Sequence, residues 1–288
     1  MTDLYYNKVC AVEDFRDPRL RGIIRDVFAH EIGRRSPDYP VGCEDRKHWE
    51  VAMAVRSLSD FGSAHPDAEV LGVAAGNEAT IYWLSSRVRR VFATDLYLDP
   101  GIWELTADRS MLIDPGRFWP GPWNRRRVVA QHMDALDLRY EDSSFDGVFS
   151  SSSLEHFGDH AAVRRAADEM FRILKPGGVL SLSTEFRVAG PSPGLPGILM
   201  FDRAELEELV IGGRGWSLVS PLETVISPGT RVVETPFTEA LDDVQSGRGH
   251  WTRFPHILLR QGEHVWTSIH MTLQKPARTG GDHSTRTG

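Results

Sequence analysis

The sequence predicts an α/β fold, a doubly wound and mostly parallel sheet whose last strand runs antiparallel, on three observations. Short apolar runs alternate with helical patterns between residues 69 and 274: EVLGVAA, RVFATD, RRVVAQH, FDGVFSS, GVLSLST, GWSLVS and HVWTSIHMTL. The first five are far enough apart for crossover helices, which parallel neighbours require. The last stretch, ILLRQGEHVWTSIHMTL, reads instead as two extended runs around a Gln261-Gly262 turn, hence an antiparallel edge element. Such alternation places helices on both faces of one sheet.

The elements are taken in chain order. Leu20, Ile23, Ile24, Val27, Phe28 and Ile32 form the stripe of an amphipathic helix. GRRSPDYPVG breaks it, and a second helical run covers about 44–61. This N-terminal helical segment, 1–68, cannot bury both its faces alone and is expected to pack as a cap on the main domain. That domain is expected over 69–275, with insertions near 101–124 and 222–255. Within it, Val163, Ala166, Ala167, Met170, Phe171 and Leu174 share one face of a helix whose other face carries Arg164, Arg165, Asp168, Glu169 and Arg172. Asp202 is a helix cap with Glu205 three residues on. The last residues, 276–288, read as a disordered tail.

Composition narrows the function. The chain has 288 residues, 33 Lys plus Arg against 40 Asp plus Glu, and a formal net charge of −7, which disfavours a nucleic-acid partner. With 41% hydrophobic and 25% charged residues it is an ordinary globular chain. No run of apolar residues is long enough to span a bilayer, and MTDLYYNKVC lacks a signal pattern, so a cytoplasmic location is expected. Cys10 and Cys43 are too few for a disulfide framework and are not spaced as zinc ligands.

After Val70 and Leu71 the chain reads GVAAGNEATIYWL, a strand that ends in small residues and passes directly into a helix. Backbone there can approach a ligand, and the helix start offers N–H groups to an anionic group. Asp95, nineteen residues after Gly76, ends the next strand, where a carboxylate can accept both hydroxyls of a ribose. A dinucleotide fingerprint is not met, since its glycine positions hold Gly72, Ala74 and Asn77, and a nicotinamide or flavin cofactor has to assume two substitutions. A tight turn without any ligand is the plain alternative.

Further along, QHMDALDLRYEDSSFDGVFSSSSLEHFGDH and FRILKPGGVLSLSTEF complete a pattern that resembles the class I S-adenosylmethionine-dependent methyltransferases over 69–185, with weaker matching to 275. The resemblance implies a Rossmann-like, seven-stranded sheet and S-adenosylmethionine as cofactor. It implies that Ala74 and Gly76 hold the methionine part, Asp95 the ribose, and Asp134 with Ala135 the adenine. Val73, Leu96 and Ser151 flank these positions, and Trp49, in RKHWE upstream, could reach the same pocket. Two departures stand out: Gly72 occupies a position where the family commonly has an acid, and Ala74 and Glu78 stand where it has glycines. The methionine ammonium then needs another carboxylate, Glu78 or Glu50. LGVAAGNE, ATDLY, MDALDL, FSSSSLEHFG and STE together also look like a narrower bacterial group associated with sugar and polysaccharide modification, which implies a saccharide acceptor.

Residues ending the fourth and fifth strands face the reacting centre of such a sheet. His156 suits a general base for O-methyl transfer by type and place, with Glu155 and Glu185 as the next candidates; a histidine packed under the following helix is the bland reading. Glu155, His156, Asp159, His160 and Glu185 form a local set that could hold Mg²⁺, although no strong metal motif is present. Trp103, Trp119, Trp123, Trp216, Trp251 and Trp266 are many for this length, and 101–124 is long for a connection. They serve either as sugar-stacking walls or as loop anchors. The polar side of the last strand, His264, Trp266, Ser268 and His270, could border the site. The expected partner is a small-molecule or oligosaccharide acceptor, with a homodimer as the expected assembly. Another metabolite as acceptor, a non-catalytic cofactor-binding module and a nicotinamide oxidoreductase remain as alternatives.

Overall fold

The computed structural model describes residues 5–32, 37–99, 106–239 and 254–277. Trp103, Trp251, the end of the expected tail and parts of both expected insertions lie outside them. The N-terminal part holds β1 (Lys8–Val9), α1 (Pro18–Val27), α2 (Ala29–Ile32) and α3 (Arg46–Asp60). There follow β2 (Glu69–Val73), α4 (Ala79–Ser85), β3 (Arg90–Asp95), β4 (Val128–His132), β5 (Phe145–Ser151), α5 (His160–Ile173) and β6 (Leu174–Ala189). Next come β7 (Gly194–Leu195), β8 (Ile198–Leu199), α6 (Arg203–Leu206), β9 (Ser217–Leu218) and α7 (Pro228–Arg231). The last elements are β10 (Glu234–Pro236), β11 (Leu258–Gln261) and β12 (His264–Gln274).

The main sheet runs β10-β11-β12-β6-β5-β2-β3-β4, with β1 and β9 attached to β12. β2 to β6 are mutually parallel, while β12 is antiparallel to both β6 and β11. Of the ten strands, β1, β9 and β10 have two or three residues each, which leaves seven substantial strands: six of the seven apolar runs read along the chain, and β11 from the run before the Gln261-Gly262 turn. GWSLVS is the weak one: only Ser217 and Leu218 pair, at the far end of β12. Strand order reverses between β2 and β5, so a crevice opens at their carboxyl ends.

Period-two alternation sorts the sheet's side chains into two layers. Leu71 and Val73 pack with Val163, Ala166, Met170 and Leu206 from α5 and α6, whereas Val70 packs with Ile81, Tyr82 and Phe149 toward α4. The three longest helices, α1, α3 and α5, each start on a side-chain cap: Asp17 accepts from Leu20 N–H, Asp45 from Lys47 N–H and Asp159 from Ala162 N–H. Asp202 and Glu205 form the expected reciprocal box. Eleven of the fifteen residues of α3 are buried, so it is an interior helix rather than a surface lid. β1 pairs with β12, which makes the N-terminal segment part of the sheet.

His270, buried in β12, lies where Nδ1 meets the Tyr6 carbonyl at 2.7 Å and Nε2 meets the Ser181 hydroxyl at 2.8 Å. Burial holds its pKa down to about 4, partly offset by the Tyr6 carbonyl, so it folds as the neutral imidazole. An unfolded histidine binds its proton near pH 6.5, so stability is fully present above that and is lost as pH falls toward 4. Lowering the pH from 7 to 4.5 is expected to cost about 2 to 3 kcal/mol through this residue, measured by urea unfolding. A His270 NMR resonance titrating near 6.5 in the folded protein would contradict this account.

Candidate active site

The turn after β2 is built on two residues with left-handed backbone, Ala74 and Gly76, both at φ 48°. For alanine this conformation costs roughly 1 to 2 kcal/mol. The neighbouring bonds hold it there: the Ser153 hydroxyl donates to the Ala74 carbonyl at 2.7 Å and Ala75 N–H donates to the Thr94 carbonyl at 3.0 Å. A side chain at Gly76 would collide with the Thr106 carbonyl, and the buried Tyr97 hydroxyl donates to the Gly76 carbonyl at 2.6 Å. Gly72 has its own reason to be small, since a Cβ there would lie 2.5 Å from the Phe149 ring. An acid does not fit at that position in this chain.

Asp95 ties the turn to β3. One carboxylate oxygen accepts Gly76 N–H at 2.8 Å and the other accepts Leu96 N–H at 2.7 Å. Burial raises its pKa, and these two N–H groups oppose the rise. Each oxygen keeps lone-pair capacity for a hydroxyl. Leu96 itself is half-exposed at the rim. Met133 N–H donates to the Asp95 carbonyl at 3.0 Å, which brings the end of β4 alongside. Asp134 is exposed there and accepts Leu136 N–H at 2.9 Å, while Ala135 is buried in the core. Val73 is likewise buried, so only its backbone borders the turn.

Glu78 leads into α4 and reaches across to β5: its Oε1 accepts from the Thr80 hydroxyl and from the Ser151 hydroxyl at 3.2 Å. Burial, with the Glu50 charge adding to it, pushes its pKa up to about 7. Glu50, from α3, accepts from the Ser152 hydroxyl at 2.7 Å, from Ser268 and from Lys47 at 3.3 and 3.4 Å. Both carboxyls that could neutralise an ammonium therefore stand at the carboxyl ends of β2 and β5.

Trp49 is placed elsewhere. It is fully buried, its Nε1 donates to Asp14 at 2.9 Å, and its ring meets His270 edge-on, so it anchors α3 and does not face the crevice. On a helix buried nearly all round, neighbouring residues point to different partners.

Glu155 and His156 occupy a short 3-10 turn after β5. Glu155 Oε2 accepts the Thr184 hydroxyl at 2.9 Å, while buried Oε1 has no hydrogen-bond partner and lies 3.9 Å from His156 Nε2. Burial first, and the Glu185 charge second, raise the Glu155 pKa well above the carboxylate range. His156 Nδ1 sits 2.8 Å from the Gly197 carbonyl at the tip of the β7–β8 hairpin. A carbonyl can only accept, so Nδ1 carries the proton and the lone pair is on Nε2. Burial lowers the pKa of His156 despite that carbonyl, which keeps the ring neutral near pH 7.

Glu185 does not suit the role of base. Arg46 Nη1 meets both its oxygens, at 2.7 and 2.8 Å, and also donates to Ser268 Oγ at 2.8 Å. Burial would raise the Glu185 pKa, but Arg46 and Lys47 hold it low, so it stays an engaged anion. Ser152 and Ser153 fall in the stretch after the fourth strand that the sequence places at the reacting end, whereas Arg46, Lys47 and Tyr97 are contributors that local patterns did not single out. A cation at a helix start reads as a solvated one, and nothing nearby in sequence shows that Glu185, 139 residues away, faces it.

The metal expectation finds no support, because among the described residues no three His, Cys, Asp or Glu side chains stand close enough to hold an ion. Asp159 caps α5, and the His160 ring lies beside Phe201. The tryptophans within the described residues act as anchors: Trp119 stacks on Tyr82 at 5.1 Å, Trp123 meets Tyr82 edge-on, Trp216 packs on Phe171 and Trp266 on Phe237. Of the polar side of β12, Ser268 reaches the Arg46 and Glu50 network, whereas Trp266 and His270 are buried. No helix of the described residues is long and apolar enough to cross a membrane.

Residues 71–182 match a family described as a methyltransferase domain. The chain is 42% identical over 66 residues to the 27-O-demethylrifamycin SV methyltransferase of Amycolatopsis mediterranei, covering 23% of each chain. It is 39% identical over 61 residues to the O-methyltransferase rstn1 of Aspergillus nomiae, covering 21% of this chain and 26% of that one. The chain thus spans about a quarter of the length of these curated relatives. Among solved structures, a candidate sarcosine dimethylglycine methyltransferase from Galdieria sulphuraria superposes with a TM-score of 0.51 at 14% identity, over 80% of this chain and 85% of that one. The [4+2]-cyclase SpnF does so with a TM-score of 0.51 at 16% identity, over 94% and 99%. At such identities the structures speak for the fold alone. Residues 71–182 thus match a methyltransferase-domain family, and they lie in a Rossmann-like α/β fold that the superposed structures share.

Proposed function

We propose that this protein transfers a methyl group from S-adenosylmethionine to a hydroxyl oxygen of a small molecule. The observation that carries the reading is the Asp95 carboxylate locked to the Gly76 N–H at 2.8 Å, which presents a ribose acceptor against the cofactor turn of the matched domain. The donor set fits the cofactor chemically. Among the described residues Glu185 and Glu50 are engaged by Arg46 and Lys47 while Glu78 has no cation paired with it, a surplus of one carboxyl that, when ionised, suits a ligand bearing an ammonium and a sulfonium.

When bound, the cofactor supplies an electrophilic methyl group. The chain's own part is to hold the ribose at Asp95, place the acceptor at the carboxyl end of β5 and remove its proton. His156 does the last: its Nδ1 proton is held by Gly197, so Nε2 presents the lone pair to the acceptor hydroxyl. The buried surroundings of Glu155 keep it protonated, so it serves as a donor rather than a base. A saccharide acceptor follows from the sequence resemblance, and a rifamycin-like acceptor from the name of the rifamycin relative. Methyl transfer to panels of both classes separates the two.

Asp95→Ala is expected to weaken binding of the cofactor by about 1.5 to 3 kcal/mol, the worth of charge-assisted hydroxyl contacts. Calorimetry with the demethylated product measures it. Unchanged affinity would mean that another group holds the ribose, and binding of NADH in place of S-adenosylmethionine would sink the methyltransferase reading.

A further inference from the structure

Glu78 links the turn after β2 to the end of β5. It starts α4, directly after the Ala74–Gly76 turn, and bonds to Ser151 on the far side of the switch point. The charged and titratable groups around it come from four directions. Lys47 and Glu50, on α3, act on Glu78 itself; Glu155, after β5, meets the same Lys47 and Glu50, Glu185 on β6 joins them through Arg46, His156 follows Glu155, and Asp95 at the end of β3 holds the Gly76 end of the turn. Arg46 is engaged by Glu185 and Glu50, and Lys47 by Glu50 and Ser152. No cation is paired with Glu78 among the described residues.

A second observation points to a ligand here: Glu155, 1% exposed, leaves Oε1 without a hydrogen-bond partner inside the same cluster. A buried polar atom left unpaired costs about 1 to 3 kcal/mol, so it marks a place where a bound group completes the bonding.

We propose that Glu78 is the charge selector of the site, favouring the sulfonium cofactor over its neutral-sulfur product and thereby promoting product release. The inference rests on the S-adenosylmethionine reading above. Donor and product share the adenosine, the ammonium and the carboxylate, and differ by one methyl group and one positive charge. A pocket with a surplus carboxyl therefore holds the donor more strongly, and the more so when Glu78 is ionised. With a pKa of about 7 in the empty protein, Glu78 is half protonated at neutral pH and gives its proton to solvent as the cationic ligand enters.

The test is calorimetry of S-adenosylmethionine and S-adenosylhomocysteine between pH 6 and pH 8.5, on the wild type and on Glu78→Gln. In the wild type the ratio of product Kd to donor Kd should rise roughly tenfold across that range, and in Glu78→Gln it should stay flat. Should the variant fail to fold, donor titrations of the wild type at pH 7 in two buffers of different ionisation enthalpy give the proton count directly. Protons should leave with the donor, and fewer with the product. A flat wild-type ratio, or donor and product affinities rising together, would overturn the proposal, the second by making Glu78 a partner of the shared ammonium. Failure of both ligands to bind would instead overturn the cofactor assignment.

Discussion

Arg46→Met is expected to lower unfolding stability by about 3 to 5 kcal/mol, the cost of removing one partner from a buried ion pair. Arg46 is 4% exposed and its Nη1 serves Glu185, Glu50 and Ser268 together. Without it, Glu185 and Glu50 keep only Lys47, which stands 3.7 Å from Glu185 and is one-third exposed. Glu185 then takes up a proton, so the loss should be larger at pH 8 than at pH 5. Urea unfolding at both values measures it. Arg46→Met combined with Glu185→Leu should recover much of the loss, since an apolar pair of similar volume replaces a paired charge at little cost. A single variant within 1 kcal/mol of wild type would show that the network carries little of the stability joining α3 to β6.

His156→Ala is expected to reduce turnover by about a hundredfold or more, while leaving affinity for the cofactor nearly unchanged, because a general base acts on the transition state. His156→Asn is the sharper probe, since its side-chain N–H can still donate to the Gly197 carbonyl while offering no comparable base. The pH profile separates the candidates. Burial lowers the His156 pKa, so with His156 as base the acid limb of kcat/KM falls below pH 6.5. Were Glu155 the base, its raised pKa would shift that limb to the alkaline side. Wild-type turnover in both variants would leave proximity of the reactants as the mechanism.

The mostly parallel sheet with its antiparallel last strand, the cap at Asp202, the core face of α5 and the pairing of a small-residue turn with a later acid were legible along the chain, whereas the order of the strands and the cap at Asp159 were not. Each legible feature depends on residues within one element, or on a spacing that the fold converts into contact by rule. Gly76 and Asp95 meet because parallel neighbours in register carry their ends to the same edge. Trp49 was not legible: the tryptophan and Glu50 sit side by side in RKHWE, and only the burial of α3 on both faces sends one to Asp14 and the other to Ser152 and Ser268.

The sequence by itself thus determined the kind of sheet and the small-residue turn that leads into α4, since periodicity and turn chemistry act locally; the switch point between β2 and β5 came with the strand order. Tertiary structure alone decided which charges are partners. It made Glu185 an engaged anion held by Arg46, kept Glu155 protonated, fixed the His156 tautomer through a hairpin forty-one residues away and raised Glu78 to the edge of ionisation. The physical reason is that a side chain's charge state follows from its desolvation and from the charges within a few ångströms, and those neighbours come from helices and strands distant in sequence.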